Sequence, residues 1–144
     1  MPRWTPPGFI FPIVWLILMP CLRATSSTIV VNALGRYLSV TTMSLVAHLA
    51  AGDVWNTVNN TEKRYGTSVL ANSITYFAAV YASLSYGLVD TRAGRLLGGT
   101  CVWLTIASAL IVQTWRLNKV GGKKDGLLPR KGKGQTSQTK FMWE

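Results

Sequence analysis

"WTPPGFIFPIVWLILMPCLRATSSTIVV" occupies residues 4–31, and its reading decides what kind of protein this is. A proline-punctuated entry leads into a run from 9 to 31 that is apolar apart from Arg23 and a cluster of small hydroxyl residues. Spanning a bilayer core takes about 20 helical residues, and the run has that length. A cleaved secretory signal would show a basic leader and a small-residue cleavage site. Here the flank is proline-rich with one arginine, Arg3, and further apolar runs follow at once, so a retained helix is expected.

Working outward, three more stretches have the length and apolarity of spans: 37–58, 67–89 and 96–115. Their joints carry turn and charge chemistry, "NALGR" at 32–36, "NNTEKRYG" at 59–66 and "DTRAGR" at 90–95. Joints this short make sequential helices antiparallel neighbours. The fold class expected is therefore all-α, a polytopic membrane helical bundle with four transmembrane helices over residues 1–118. A basic, flexible tail is expected over 119–144. Composition agrees, since 49% of residues are hydrophobic and only 14% charged.

The net charge of +10 resembles that of a nucleic-acid binder until it is located. Eight of the fifteen Lys and Arg lie between Arg116 and Lys140, so the basic character belongs mostly to the tail. Such a tail is attracted to anionic lipid, and no nucleic-acid partner is expected. Both termini and the 59–66 joint share one side of the bundle, with Arg3, Lys63, Arg64 and the tail. The positive-inside bias puts that side, tail included, on the cis face of the membrane. Cys21 and Cys101 both sit in apolar runs and read as small buried hydrophobes. With one histidine and five dispersed acids, no zinc motif, catalytic triad or phosphate loop is present, and no enzymatic activity is expected.

Depth follows from the helical rise. Counted from the side of the termini, Trp15 lies about 9 Å in, Asp53 about 7 to 8 Å, Trp55 about 4 to 5 Å, Tyr76 about 13 to 14 Å, His48 about 15 Å and Trp103 about 18 Å. Trp15, Asp53 and Asn56 share a level under the Trp4, Pro6 and Pro7 segment. This outlines a ligand pocket roofed by the prolines, walled by Trp15 and Trp103, with Tyr76 at its lower edge. Trp55 and Trp115 suit an interfacial belt. An intramembrane carboxylate is costly unless paired, protonated or facing a polar cavity, so Asp53 is either a polar anchor or a direct ligand contact. Arg23 lies roughly 13 Å deeper than Asp53, out of its reach. It is expected to snorkel or to mark an early break, with "ATSST" loosening the helix after it. His48 is either a helix-to-helix hydrogen-bonding group or a metal ligand, axial to a tetrapyrrole.

These residues carry a resemblance. "WTPPGFIFPIVW" (4–15) closely resembles the W-x-P-P-G…V-W signature of the TspO/translocator protein family, the tryptophan-rich sensory proteins or peripheral-type benzodiazepine receptors. "HLAAGDVWN" (48–56) is similar to that family's Q-x-x-x-N-x-x-W helix, and "VWLTIASALIVQTWRLN" (102–118) to its last helix, ending W-R-x-N. "GDVWNTVNNTEKR" further resembles the form from photosynthetic eukaryotes.

The resemblance implies a five-helix fold whose first helix would precede this chain's start. It also implies tetrapyrrole binding (porphyrin, haem or a chlorophyll-related pigment) in transport, sensing or stress response, and location in a chloroplast or mitochondrial membrane. Trp15 and Trp103 match the tryptophans implicated in the family's porphyrin chemistry, which includes porphyrin photodegradation. The sterol motif of some members needs a tyrosine where this chain has Val112, and the family's Gln and Asn are replaced by His48 and Gly52. The rival expectation is a structural subunit, as a homodimer or within a larger membrane complex such as a photosynthetic assembly.

Overall fold

The computed structural model describes residues 2–120, 123–124 and 126–128. Four long helices account for most of them: α1 (Ile10–Leu34), α2 (Val40–Asn56), α3 (Tyr65–Val89) and α4 (Thr91–Leu117). After α4, Lys119–Val120 (β1) pairs antiparallel with Lys123–Lys124 (β2) as a minimal ladder. Of the tail read as flexible, 119–144, residues 121–122, 125 and 129–144 lie outside the described residues. α1 and α4 are long and apolar enough to cross a membrane. α2 runs on without a break into a second π turn, Thr57–Thr61, and the polar residues Ser68, Asn72 and Thr75, buried on α3, dilute that helix's apolar character.

α1 enters from a turn in which the Thr5 amide and hydroxyl both donate to the Pro2 carbonyl. Inside it, Val14–Leu18 is a π turn in which the Met19 N–H reaches back to the Val14 carbonyl. Pro20 supplies the physical reason. Proline has no N–H to give the carbonyl four residues back, and its ring crowds that carbonyl, so widening the preceding turn relieves the clash. A period-3.6 reading of the sequence gives no hint of this.

The expected break after Arg23 is not there. α1 runs on to Leu34 and ends on Gly35, whose φ of 64° provides the left-handed cap. The hydroxyls of "ATSST" serve the helix instead of loosening it: Ser26 donates to the Arg23 carbonyl at 3.0 Å and Thr28 to the Ala24 carbonyl at 2.9 Å. The last joint also differs from expectation. Asp90 alone links α3 to α4 and caps α4, accepting from the backbone N–H groups of Arg92 and Ala93, so "TRAGR" is helix rather than loop. At the other joint, Ser39 and Thr42 form a reciprocal capping box that starts α2.

α4 packs against both α3 and α1, and α3 against α2, while α1 and α2 scarcely touch. The α3–α4 hairpin is the tightest joint. A Cβ on Gly94 would lie 2.5 Å from Gly87 Cα, so the two backbones meet with no room for a side chain. Ser83 seals this crossing by donating to the Gly94 carbonyl at 2.9 Å. Tyr86, fully buried, ties α3 to α1 through a 2.9 Å bond with the Ser27 hydroxyl. The second core cluster, Val14, Met19, Ala79 and Leu104, sits nearer the N-terminal segment and forms the floor on which the candidate site is built.

Candidate ligand cavity

Because α1 and α2 diverge, a cavity of about 850 Å³ is left between them, backed by α3 and α4. That is within the ~300–1,000 Å³ usual for small-molecule sites. α1 contributes Phe11, Trp15, Leu16 and Arg23; α2 contributes His48, Leu49, Gly52, Asp53, Trp55 and Asn56. Leu104, Ala107, Leu110 and Ile111 of α4 make an apolar rear wall, with Asn72 and Thr75 of α3 beside it. The end nearest the termini is bounded by Pro2, Thr5, Asn59, Asn60 and Lys63. Leu16 and Leu49, which flank the gap between α1 and α2, are both exposed, so the cavity is open on that side.

The π turn matters here. It shifts the helical register at Trp15, which lines the cavity while its other side packs with Tyr76, Cys101 and Trp103 against the second core cluster. One wall of the site is thus an aromatic face seated on a packed base.

The polar floor of the cavity is a chain of three groups. His48 Nδ1 lies 3.0 Å from the Thr75 carbonyl oxygen, and His48 Nε2 lies 3.3 Å from Arg23 Nη2. A carbonyl can only accept and a guanidinium can only donate, so the proton must sit on Nδ1 and the Nε2 lone pair must receive Arg23. The imidazole is neutral in this arrangement. Axial ligation of a metal by His48 would have to displace the guanidinium. Among the described residues, no group of three or more His, Cys, Asp or Glu side chains could hold a metal ion.

The expected site residues fall into two sets. Trp15, His48, Asp53 and Asn56 line the cavity. Trp4, Pro6, Pro7, Tyr76 and Trp103 do not. Trp103 stands behind the wall, edge-on to Phe11 with ring centroids 5.8 Å apart, and Tyr76 is within hydrogen-bonding distance of Thr105 on α4 at 3.2 Å. The N-terminal segment does cover the end of the bundle, but Pro2 and Thr5 are the residues that face inward. Trp4 points away, its indole N–H donating to the Gln113 side chain of α4. Asn56 accepts from Asn60 rather than donating to Asp53, and the Asp53 carboxylate has no hydrogen bond or ion pair among the described residues.

Sequence reasoning missed Arg23, Phe11, Asn72, Thr75 and Gln113. Arg23 had a usable signal, namely that side chains on a helix lean toward its N-terminus. The Arg23 guanidinium therefore reaches back along α1 to the level of His48, closing a gap that Cα depths left open.

The TspO/MBR family profile matches residues 1–116 of the chain. The chain belongs to the TspO/MBR family. Its membership agrees with the helical membrane bundle and makes this an integral membrane protein. Among curated relatives it is similar to Protein CrtK of Rhodobacter capsulatus, at 24% identity over 81% of this chain and 74% of the relative. It is also similar to a tryptophan-rich sensory protein of Cereibacter sphaeroides, at 26% identity over 81% of this chain and 72% of the relative. No solved structure matches the chain significantly.

Proposed function

We propose that this TspO/MBR family member binds a tetrapyrrole in the cavity between α1 and α2, in the transport, sensing or stress response of such pigments. The observation that carries the reading is the pairing of the Trp15 face with the apolar α4 wall across a space of about 850 Å³. A flat, largely apolar macrocycle would stack on the one and pack on the other. Asp53 and Asn56 supply polar groups to the end of the cavity nearer the chain termini. Trp103 supports the Trp15 wall through their shared core cluster rather than touching the ligand. Location in a chloroplast or mitochondrial membrane, with the tail on the cis side, belongs to the same proposal and rests on the "GDVWNTVNNTEKR" likeness and on the distribution of Lys and Arg.

The test is titration of the detergent-purified protein with protoporphyrin IX while tryptophan fluorescence is followed. Saturable quenching is expected, with affinity reduced about tenfold or more in Trp15→Ala and by less in Trp103→Ala. Unsaturable quenching, or quenching indifferent to Trp15→Ala, would end the proposal. A second reading, a subunit that docks on a partner, is favoured by the gap between α1 and α2 with its exposed Leu16 and Leu49. The mass of the same purified particle tests it.

A further inference from the structure

Arg23 is a cation within a membrane-spanning helix, it lines the cavity, and no carboxylate among the described residues lies within 4 Å of it. Intramembrane arginines are costly and ordinarily pair with an anion or backbone carbonyls. Here the observed side-chain partner is the neutral His48, which can accept one N–H of the five a guanidinium offers. Arg23 Nε is buried and unpartnered, and so is the indole Nε1 of Trp55, another lining residue. Donors without acceptors therefore collect around this cavity. The acid on its wall, Asp53, lies five residues from His48 along α2, a rise of about 7.5 Å toward the chain termini. Lys63, the other lining cation, is farther still in that direction, beyond the end of α2.

We propose that Arg23 is the seat of a ligand carboxylate, so that the cavity selects apolar ring compounds bearing an acid over their uncharged counterparts. Bonded to Thr75, His48 holds the guanidinium in place by accepting from Nη2, and it leaves the remaining donors for the bidentate recognition that arginine and a carboxylate favour. The apolar body of the ligand then extends toward Trp15 and the α4 wall. This inference rests on the tetrapyrrole reading for the identity of the ring, but not for the recognition of the acid.

The experiment compares two acid and ester pairs on the detergent-purified full chain. One pair is protoporphyrin IX and its dimethyl ester, the other 1-pyrenebutyrate and its methyl ester. The acids are expected to bind about tenfold or more tightly than the esters in the wild type. That preference should collapse in Arg23→Gln, return only in part in Arg23→Lys, which restores the charge but not the fork, and persist in Lys63→Gln. Equal affinity of acid and ester for the wild type overturns the inference without any variant being needed. A preference that survives Arg23→Gln, or that is lost in Lys63→Gln, also overturns it. If the pyrene acid shows the Arg23-dependent preference while neither porphyrin binds, this inference stands and the tetrapyrrole reading falls. Porphyrin acid and ester binding equally well gives the reverse.

Discussion

The indole N–H of Trp4 donates to the side-chain oxygen of Gln113, tying the N-terminal segment to the last turns of α4 across most of the chain. The segment therefore does not hang free over the cavity, and Pro2 and Thr5 are held against its end. Removing this bond, by Trp4→Phe or Gln113→Ala, should cost about 1 kcal/mol of closure and weaken ligand binding about fivefold. Limited proteolysis should cut the segment faster in both variants, and the double variant should add little to either single one. Additive losses would mean that the two residues act separately.

The crossing of α3 and α4 leaves no space between Gly87 and Gly94. Gly94→Ala should destabilise the bundle by about 1–3 kcal/mol, since its Cβ would meet backbone that cannot move aside. Gly87→Ala should be much milder, because its Cβ would lie 3.7 Å from Gly94 Cα, an ordinary contact. Thermal unfolding of both variants in detergent checks the asymmetry.

The Ser27–Tyr86 bond joins α1 to the hairpin through a fully buried tyrosine. Ser27→Ala and Tyr86→Phe should each lower stability, and a double-mutant cycle should give a coupling of about 0.6 kcal/mol, the average for hydrogen bonds between membrane helices. A coupling near zero would mean that each hydroxyl finds another partner.

Asp90, at the tip of the hairpin, has its carboxyl held below the usual range. The chief cause is the side-chain hydrogen bonding of Arg92, followed by the Arg92 backbone N–H. A depressed carboxyl stabilises the fold fully above its unfolded pKa, near 4, and this contribution fades as pH falls through the lower folded value. Asp90→Asn keeps a capping oxygen but not the charge. The gap in melting temperature between wild type and variant should thus be widest near neutrality and should close in acid. A gap that does not change with pH would assign the stabilisation to the cap alone.

What could be read in the sequence follows the physics of each element. The four helices were legible because apolar length is a strong signal, and the level shared by Trp15, Asp53 and Asn56 follows from rise per residue alone. Rotation about the helix axis was not legible. Trp103 and Tyr76 were expected to face the pocket, yet packing turns them into the neighbouring core cluster. Arg23 was misjudged because its depth was counted at Cα, whereas its charge sits several ångströms back along the helix, against His48. The π turn ahead of Pro20, which sets the direction of Trp15, leaves no periodic trace.

The sparse contact between α1 and α2 has a consequence for supply. Among the described residues, Leu16 and Leu49 flank an open side, so the cavity has a second opening between α1 and α2 besides the one near the chain termini. A hydrophobic guest that enters between these helices is drawn from the pool dissolved in lipid. Occupancy then follows the number of guest molecules per lipid rather than their concentration in the surrounding medium. Diluting the membrane with empty vesicles would strip such a site as effectively as washing strips a water-fed one.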